Sequence, residues 1–304
     1  MRALVISGGG SKGAFAGGVA QFLIQEAGKK YDLFVGTSTG SLLISHLALS
    51  KLDKIKEIYS NVNQQSIFNN CPFVVKKIHG NDEISINHWN VIRNFLKGKK
   101  TFGESENLRD LITNSLTHEE FDTLKQGMSD VVITVSNLSL NQVEYKSIKD
   151  CTYEEYCDWI WISANYTPFM SLVVKNGCEY ADGGLGSIVP IEEAIRRGAT
   201  EVDVVVLHTE VNYLNRLPSR NPFELITTMM SFILDRIESQ NIRIGKLVAK
   251  QNNAIINLYY TPTILTTNSL IFDKDKMTLW WKRGYLYAKN KNDETNPIEP
   301  NEHE

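Results

Sequence analysis

The sequence predicts an α/β fold: a three-layer α/β/α sandwich around a mostly parallel sheet. Two observations point there. Over the first 50 residues, short apolar runs alternate with helical patterns in β-α-β-α order, as a parallel sheet with crossover helices requires. The strand-like runs are apolar almost throughout, as expected of strands covered on both faces. At 304 residues, 42% hydrophobic and 22% charged, the chain has the composition of a globular protein with a full core. No repeat or low-complexity linker interrupts residues 2–289, which read as one domain.

Residues 3–7 read as the first strand and 12–26 as a helix with small residues along one side. Residues 33–35 form a second short strand and 39–49 a second helix. The stretch 51–127 is more polar and mostly helical in pattern, with breaks at 69–72 and 97–100. Strand signals return at 131–136 and 142–146, joined by a short polar turn that suggests a hairpin. Residues 153–162 read as a helix and 172–175 as a strand. A short helix at 190–197 has proline near its start, where a missing N–H costs little. Residues 202–207 form a continuous apolar strand. One long amphipathic helix, or two, covers 223–250, and another covers 274–289. The polar tail 290–304 is expected to be disordered.

A net charge of −3 gives no sign of a nucleic-acid binder, and any membrane contact must come from a local patch. Cys71, Cys151, Cys157 and Cys178 show neither CxxC pairing nor histidines at metal spacing, so they read as free thiols in a reducing compartment. The first residues run into glycine after four apolar positions, too few for a signal peptide, and no stretch approaches the roughly 20 apolar residues of a membrane span. The sequence-based expectation is a cytoplasmic protein with no metal and no cofactor.

Gly36-Thr37-Ser38-Thr39-Gly40 matches G-x-S-x-G directly after a strand and before a helix, the context that makes the pattern meaningful. A tight strand-to-helix turn presents Ser38 at the carboxyl end of the sheet, where ligands of open α/β folds bind. Gly36 and Gly40 keep its flanks small, and the helix start beneath it favours developing negative charge. Ser38 is the expected nucleophile.

Gly8-Gly9-Gly10-Ser11-Lys12-Gly13 follows the first strand and also satisfies the dinucleotide pattern G-x-G-x-x-G. That reading needs an acid at the end of the second strand to hold a ribose. The nearest acid, Asp32, lies at the strand's start instead. The alternative is a loop whose N–H groups face an oxyanion, with Gly9 and Gly10 as the foremost donors, each contributing roughly 3–4 kcal/mol to an acyl-transfer transition state. Lys12 would steady the loop or add positive charge.

A serine nucleophile needs a proton acceptor. His46 lies eight residues beyond Ser38 on the same helix, about 12 Å along its axis, too far to reach. His79, His88 and His118 fall in the polar helical stretch and His303 in the tail. His208, ending the strand at 202–207, keeps a Ser38–Asp182–His208 triad open in the hydrolase order. A second acid signal is Tyr180-Ala181-Asp182-Gly183-Gly184, an aspartate on a tight turn after a strand-like stretch.

Taken together, G-G-G-x-K-G, G-x-S-x-G and D-G-G in this order resemble the patatin-like phospholipase family. Asn107–Leu111, Ile162-Ser163-Ala164 with Pro168 and Phe169, Pro190–Ala194 with Gly198-Ala199, and Phe272 to Tyr285 resemble further segments of it, so the match covers about residues 2–288. The resemblance implies a patatin-like α/β fold. It implies a Ser–Asp dyad in which Ser38 is the nucleophile, Asp182 the general base, and Gly8, Gly9, Gly10 and the Thr39 N–H line the oxyanion hole. Ser11, Lys12, Gly13, Gly183 and Gly184 complete the motifs. Many members carry Asn-x-Pro after the glycine pair; this chain has Ser187-Ile188-Val189-Pro190, which puts the local contacts of Asp182 in question.

The implied reaction is hydrolysis of phospholipid or related acyl esters through an acyl-enzyme. An ordinary aspartate, with a pKa near 3.9, is a weak base, so a dry pocket is expected to raise that of Asp182. Phe15, Leu42, Leu43 and Phe169 are candidates for an acyl channel. Phe73-Val74-Val75 beside Lys76-Lys77, or Phe95-Leu96 beside Lys97, Lys99 and Lys100, could meet a lipid interface as a peripheral contact. Competing readings are a triad esterase using His208, an acyltransferase with a related serine elbow, and a non-catalytic lipid-binding protein.

Overall fold

The computed structural model describes residues 1–78, 81–211, 219 and 221–295. Strand β1 (Arg2–Ile6) leads through a 3-10 turn (Gly10–Lys12) into α1 (Gly13–Gln21), which ends in a π turn (Phe22–Glu26). Strand β2 (Leu33–Thr37) leads into α2 (Thr39–Ala48), followed by α3 (Leu52–Asn61) and the short α4 (Gln64–Ile67). An antiparallel pair, β3 (Phe73–Ile78) and β4 (Asn81–Ile86), precedes α5 (His88–Leu96), α6 (Glu106–Ser115) and α7 (His118–Gln126). Then come β5 (Asp130–Asn137), β6 (Gln142–Ser147), α8 (Tyr153–Ser163), β7 (Val173–Lys175) and β8 (Cys178–Asp182). The rest is α9 (Ile191–Arg196), β9 (Glu201–Val206), α10 (Pro222–Gln251), β10 (Ile255–Tyr260) and α11 (Lys274–Thr295). Thr117 and Thr152 cap α7 and α8 in reciprocal boxes with Glu120 and Glu155, which is why those helices start where they do.

The central sheet has the order β10-β9-β1-β2-β5-β8-β7, with β6 also on β5. Strands β10, β9, β1, β2 and β5 are parallel, while β6, β8 and β7 add antiparallel pairings at one side. Alternate residues of the parallel strands enter two separate cores. Leu4 and Ile6 face the layer of α1, α2, α6 and α8, whereas Ala3 and Val5 join Val202, Val204 and Val206 under α9 and α10. The three-layer α/β/α sandwich with a mostly parallel sheet predicted from sequence is therefore the architecture observed.

Strand β5 sets up the site. Strand β6 occupies one of its edges from Val132 to Asn137. Its other edge is shared: β2 ends with Thr37 opposite Thr134, and β8, running the other way, ends with Asp182 opposite Val135. Two strands thus stop head to head on one edge of a third.

Three expectations are corrected. The stretch 51–127 is not helical throughout, since β3 and β4 lie within it. Strand β10, unanticipated, extends the parallel sheet beside β9. Helix α11 continues to Thr295, so residues 290–295 are helical where disorder was expected; residues 296–304 lie outside the described residues, as do His79 and His303. Helix α11 packs closely on α1. A Cβ on Gly18 would fall 1.9 Å from the Trp281 carbonyl oxygen, and one on Gly284 2.1 Å from that of Phe15. All four cysteines are free thiols. Among the described residues, no helix is long and apolar enough to cross a membrane.

Candidate active site

Ser38 stands at the strand-to-helix turn with φ 54°, a left-handed conformation that non-glycine residues rarely adopt. The turn closes only because its flanks lack side chains. A Cβ on Gly36 would lie 2.6 Å from the Gly40 carbonyl carbon, and one on Gly40 2.2 Å from the Ile6 carbonyl oxygen. The Ser38 N–H donates to Ser163 Oγ at 3.0 Å, and that hydroxyl donates in turn to the Thr134 carbonyl at 2.7 Å. Thr39, first residue of α2, has an N–H with no intrahelical acceptor. Tyr59 fixes it from behind, donating to the Thr39 carbonyl at 3.1 Å and lying 2.8 Å from Thr39 Oγ1.

Asp182 is buried at the end of β8 and takes the Gly184 N–H on Oδ1 at 2.7 Å. Its own N–H donates to the Asn165 carbonyl at 3.0 Å. Burial pushes the carboxyl group up to a pKa of about 7, against the downward pull of the Gly184 N–H and of the nearby Ser38 side chain. Gly183 opens the tight turn after it. Where the family pattern has Asn-x-Pro, the Ser187 carbonyl accepts from Thr37 Oγ1 at 2.9 Å. Asn241 of α10 receives the N–H groups of Ile188 and Val189. The departure from the pattern is therefore supported from α10, a contact that no local motif signals.

The glycine loop faces both residues. Gly8 needs a correction as an oxyanion donor: its N–H is already given to the Ile188 carbonyl at 3.1 Å. The Gly9 and Gly10 N–H groups have no acceptor among the described residues. Ser11 anchors the loop through its N–H to the Ser269 carbonyl at 2.9 Å, and Gly13 opens α1 against Thr39. Lys12 is buried, with Nζ 3.2 Å from His208 Nε2. Burial brings its pKa down to about 8, partly offset by Glu238 and Asp235.

His208 is turned toward this lysine. Its Nδ1 lies 2.5 Å from Glu238 Oε2 and its Nε2 3.6 Å from Asp235 Oδ1, so both ring nitrogens face α10 partners and Lys12. His46 also lines the cavity that holds Ser38, as does His208, but its Nε2 lies 3.1 Å from the Ser115 carbonyl, and burial lowers its pKa. Among the described residues no group of three or more His, Cys, Asp or Glu could hold a metal ion.

One cavity of about 670 Å³ brings Ser38, Asp182, Gly8, Gly9, Gly10, Lys12, Thr39 and Gly184 together. Most of its remaining wall is apolar, with Leu42, Ile55, Leu111 and Met170 among the lining residues. Of the proposed channel residues, only Leu42 lines it; Phe15, Leu43 and Phe169 are fully buried in the core. Ser163, Asn165 and Asn241 were missed as site residues. A lone serine at a helix end gives no signal by itself.

A family model described as patatin-like phospholipase matches residues 4–195 of the chain. Among solved structures, VipD from Legionella pneumophila is similar at 14% identity and a TM-score of 0.47, over 96% of this chain and 67% of that one. No curated protein matches it.

Proposed function

The chain belongs to the patatin-like phospholipase family, and from that premise we propose that it is a serine acyl hydrolase that cleaves phospholipid or related acyl esters through a Ser38–Asp182 dyad. The observation that carries this reading is the meeting of Ser38 with a buried carboxyl group of near-neutral pKa in an acyl-sized apolar cavity. A base poised near pH 7 is what general-base catalysis by a carboxylate needs.

Asp182 accepts the Ser38 proton as Oγ attacks the ester carbonyl. The tetrahedral oxyanion is held by the N–H groups of Gly9, Gly10 and Thr39, the last at the positive end of α2. Gly8 serves this hole structurally, by tying the loop to Ile188. Collapse breaks the acyl C–O bond, Asp182 returns the proton to the departing alcohol, and the acyl group remains on Ser38. Water then attacks by the same route, releasing a fatty acid and restoring both residues. Lys12, steadied by His208 and Glu238, keeps positive charge beside the loop.

A fluorophosphonate probe should label the wild type at Ser38 and leave Ser38→Ala unlabelled. Mass spectrometry of phospholipids digested by both proteins should show free fatty acid from the wild type alone. Equal release by Ser38→Ala would overturn the proposal.

A further inference from the structure

Over its first three turns helix α10 packs Phe223 and Ile226 on the core yet also carries apolar side chains on its exposed side. Thr227, Thr228 and Ser231, at helical spacing, line the cavity, while Leu225, Met229 and Phe232 point outward, Phe232 with 62% of its surface exposed. A helix on a water-facing surface keeps its exposed side polar. Helix α5 adds a second such face: Trp89, Ile92 and Leu96 are exposed, Trp89 to 75% and Leu96 to 84%, while Val91 and Asn94 are buried.

The two faces belong to one region. Phe102 lies between them, 6.0 Å from Phe95 of α5 and 5.2 Å from Phe223 of α10 by ring centroids. Exposed apolar side chains gathered in one region mark an interaction site. The charge beside them has a sign. Residues 88–103 contain Arg93, Lys97, Lys99 and Lys100 and no acid, in a chain of net charge −3. Lys99 and Lys100 are paired with Glu104 and Glu179. Arg93 and Lys97 are exposed and have no acidic partner among the described residues.

We propose that α5 and the first half of α10, the helix that lines the cavity, form a bilayer-docking surface specific for membranes containing anionic phospholipid. The choice of occupant rests on the reading of this protein as a lipid acyl hydrolase. Trp89, Leu96, Met229 and Phe232 enter the interface, Arg93 and Lys97 meet the anionic headgroups, and the hydroxyls of α10 line the polar passage toward Ser38. The exposed apolar side of α10 then meets lipid, while Thr227, Thr228 and Ser231 face the cavity.

The test uses the Ser38→Ala protein, so that vesicles stay intact, with and without the four substitutions Trp89→Ser, Leu96→Ser, Met229→Ser and Phe232→Ser. Ser38→Ala should co-sediment with phosphatidylcholine–phosphatidylglycerol vesicles and show a blue shift in tryptophan fluorescence. The four serines should cut partitioning at least tenfold. Phosphatidylcholine alone should bind roughly thirtyfold more weakly than the mixture, as two unpaired cations at about 1 kcal/mol each predict. Sedimentation without vesicles and thermal melts control for assembly and folding. Equal partitioning of the two proteins would overturn the proposal. So would an intact-surface protein that binds no vesicles but forms a dimer that the four serines dissociate, since the face would then join copies of this chain. Equal binding to both vesicle types would overturn the role of Arg93 and Lys97. In a Ser38 background, the four serines should leave hydrolysis of a monomeric butyrate ester unchanged. A wild type inactive on that ester would count against the hydrolase reading and leave the vesicle result to decide the surface.

Discussion

Ser163 holds Ser38 by its backbone, taking the N–H at 3.0 Å while donating its own proton to the Thr134 carbonyl. The contact pins a residue whose left-handed conformation costs on the order of 1–3 kcal/mol. Ser163→Ala leaves a buried donor and a buried acceptor unpaired, at roughly 1–3 kcal/mol. We expect kcat on a soluble ester to fall at least tenfold with KM little changed, and the melting temperature to drop by a few degrees. Wild-type kcat in a folded Ser163→Ala protein would remove the positioning role.

Asp182 links activity and stability to pH with opposite signs. Its folded pKa of about 7 lies above the unfolded value near 3.9. Between about pH 4 and pH 7 the native state keeps a proton that the unfolded chain has lost, so stability falls as pH rises through that window. Activity should climb through the same region, because only the carboxylate can accept the Ser38 proton. Asp182→Asn should abolish hydrolysis and, by urea unfolding at pH 8, be more stable than wild type by about 1–4 kcal/mol.

His208 distinguishes dyad from triad. Its ring nitrogens face Glu238, Asp235 and Lys12. His208→Ala should therefore retain more than a tenth of wild-type kcat on a soluble ester, whereas loss of a triad base costs several powers of ten. A fall of about 10⁴ would restore the triad.

The cavity wall should set acyl-chain length. Leu111 of α6 lines the cavity and is only partly buried, so the wall can accept a larger side chain there. Leu111→Trp should reduce hydrolysis of long-chain p-nitrophenyl esters at least tenfold while sparing the butyrate ester. Parallel loss on both would place Leu111 outside the acyl path.

The motifs were legible because their chemistry is local. Gly8–Gly13 and Gly36–Gly40 each sit at a strand-to-helix turn, and spacing alone located them. Asp182 was less legible. Its place depends on β8 running back along the edge of β5 that β2 leaves open, a long-range arrangement that periodicity does not encode. Ser163 and Asn241 act through hydrogen bonds that reach across 125 and 53 residues, a pairing that no short pattern records. Strand β10 did carry a signal in Ile-Ile-Asn-Leu-Tyr-Tyr, but it lies between two long helices whose periodicity dominates the region. The β3–β4 pair was hidden by its polar content, since Lys, Asn, Asp and Glu are weak strand formers.

The close seat of α11 on α1 bears on when activity can first arise during synthesis. The glycine loop is anchored by the Ser269 carbonyl, and the helix leaving it is clasped at Gly18 by the Trp281 backbone. A nascent chain that has emerged only as far as Pro190 carries Ser38, Asp182 and every glycine of the motifs, yet lacks both supports. Its glycine loop lacks the Ser269 anchor and its first helix lacks α11. The packing of the glycine loop and of α1 is therefore complete only in a chain that includes residues 269–284.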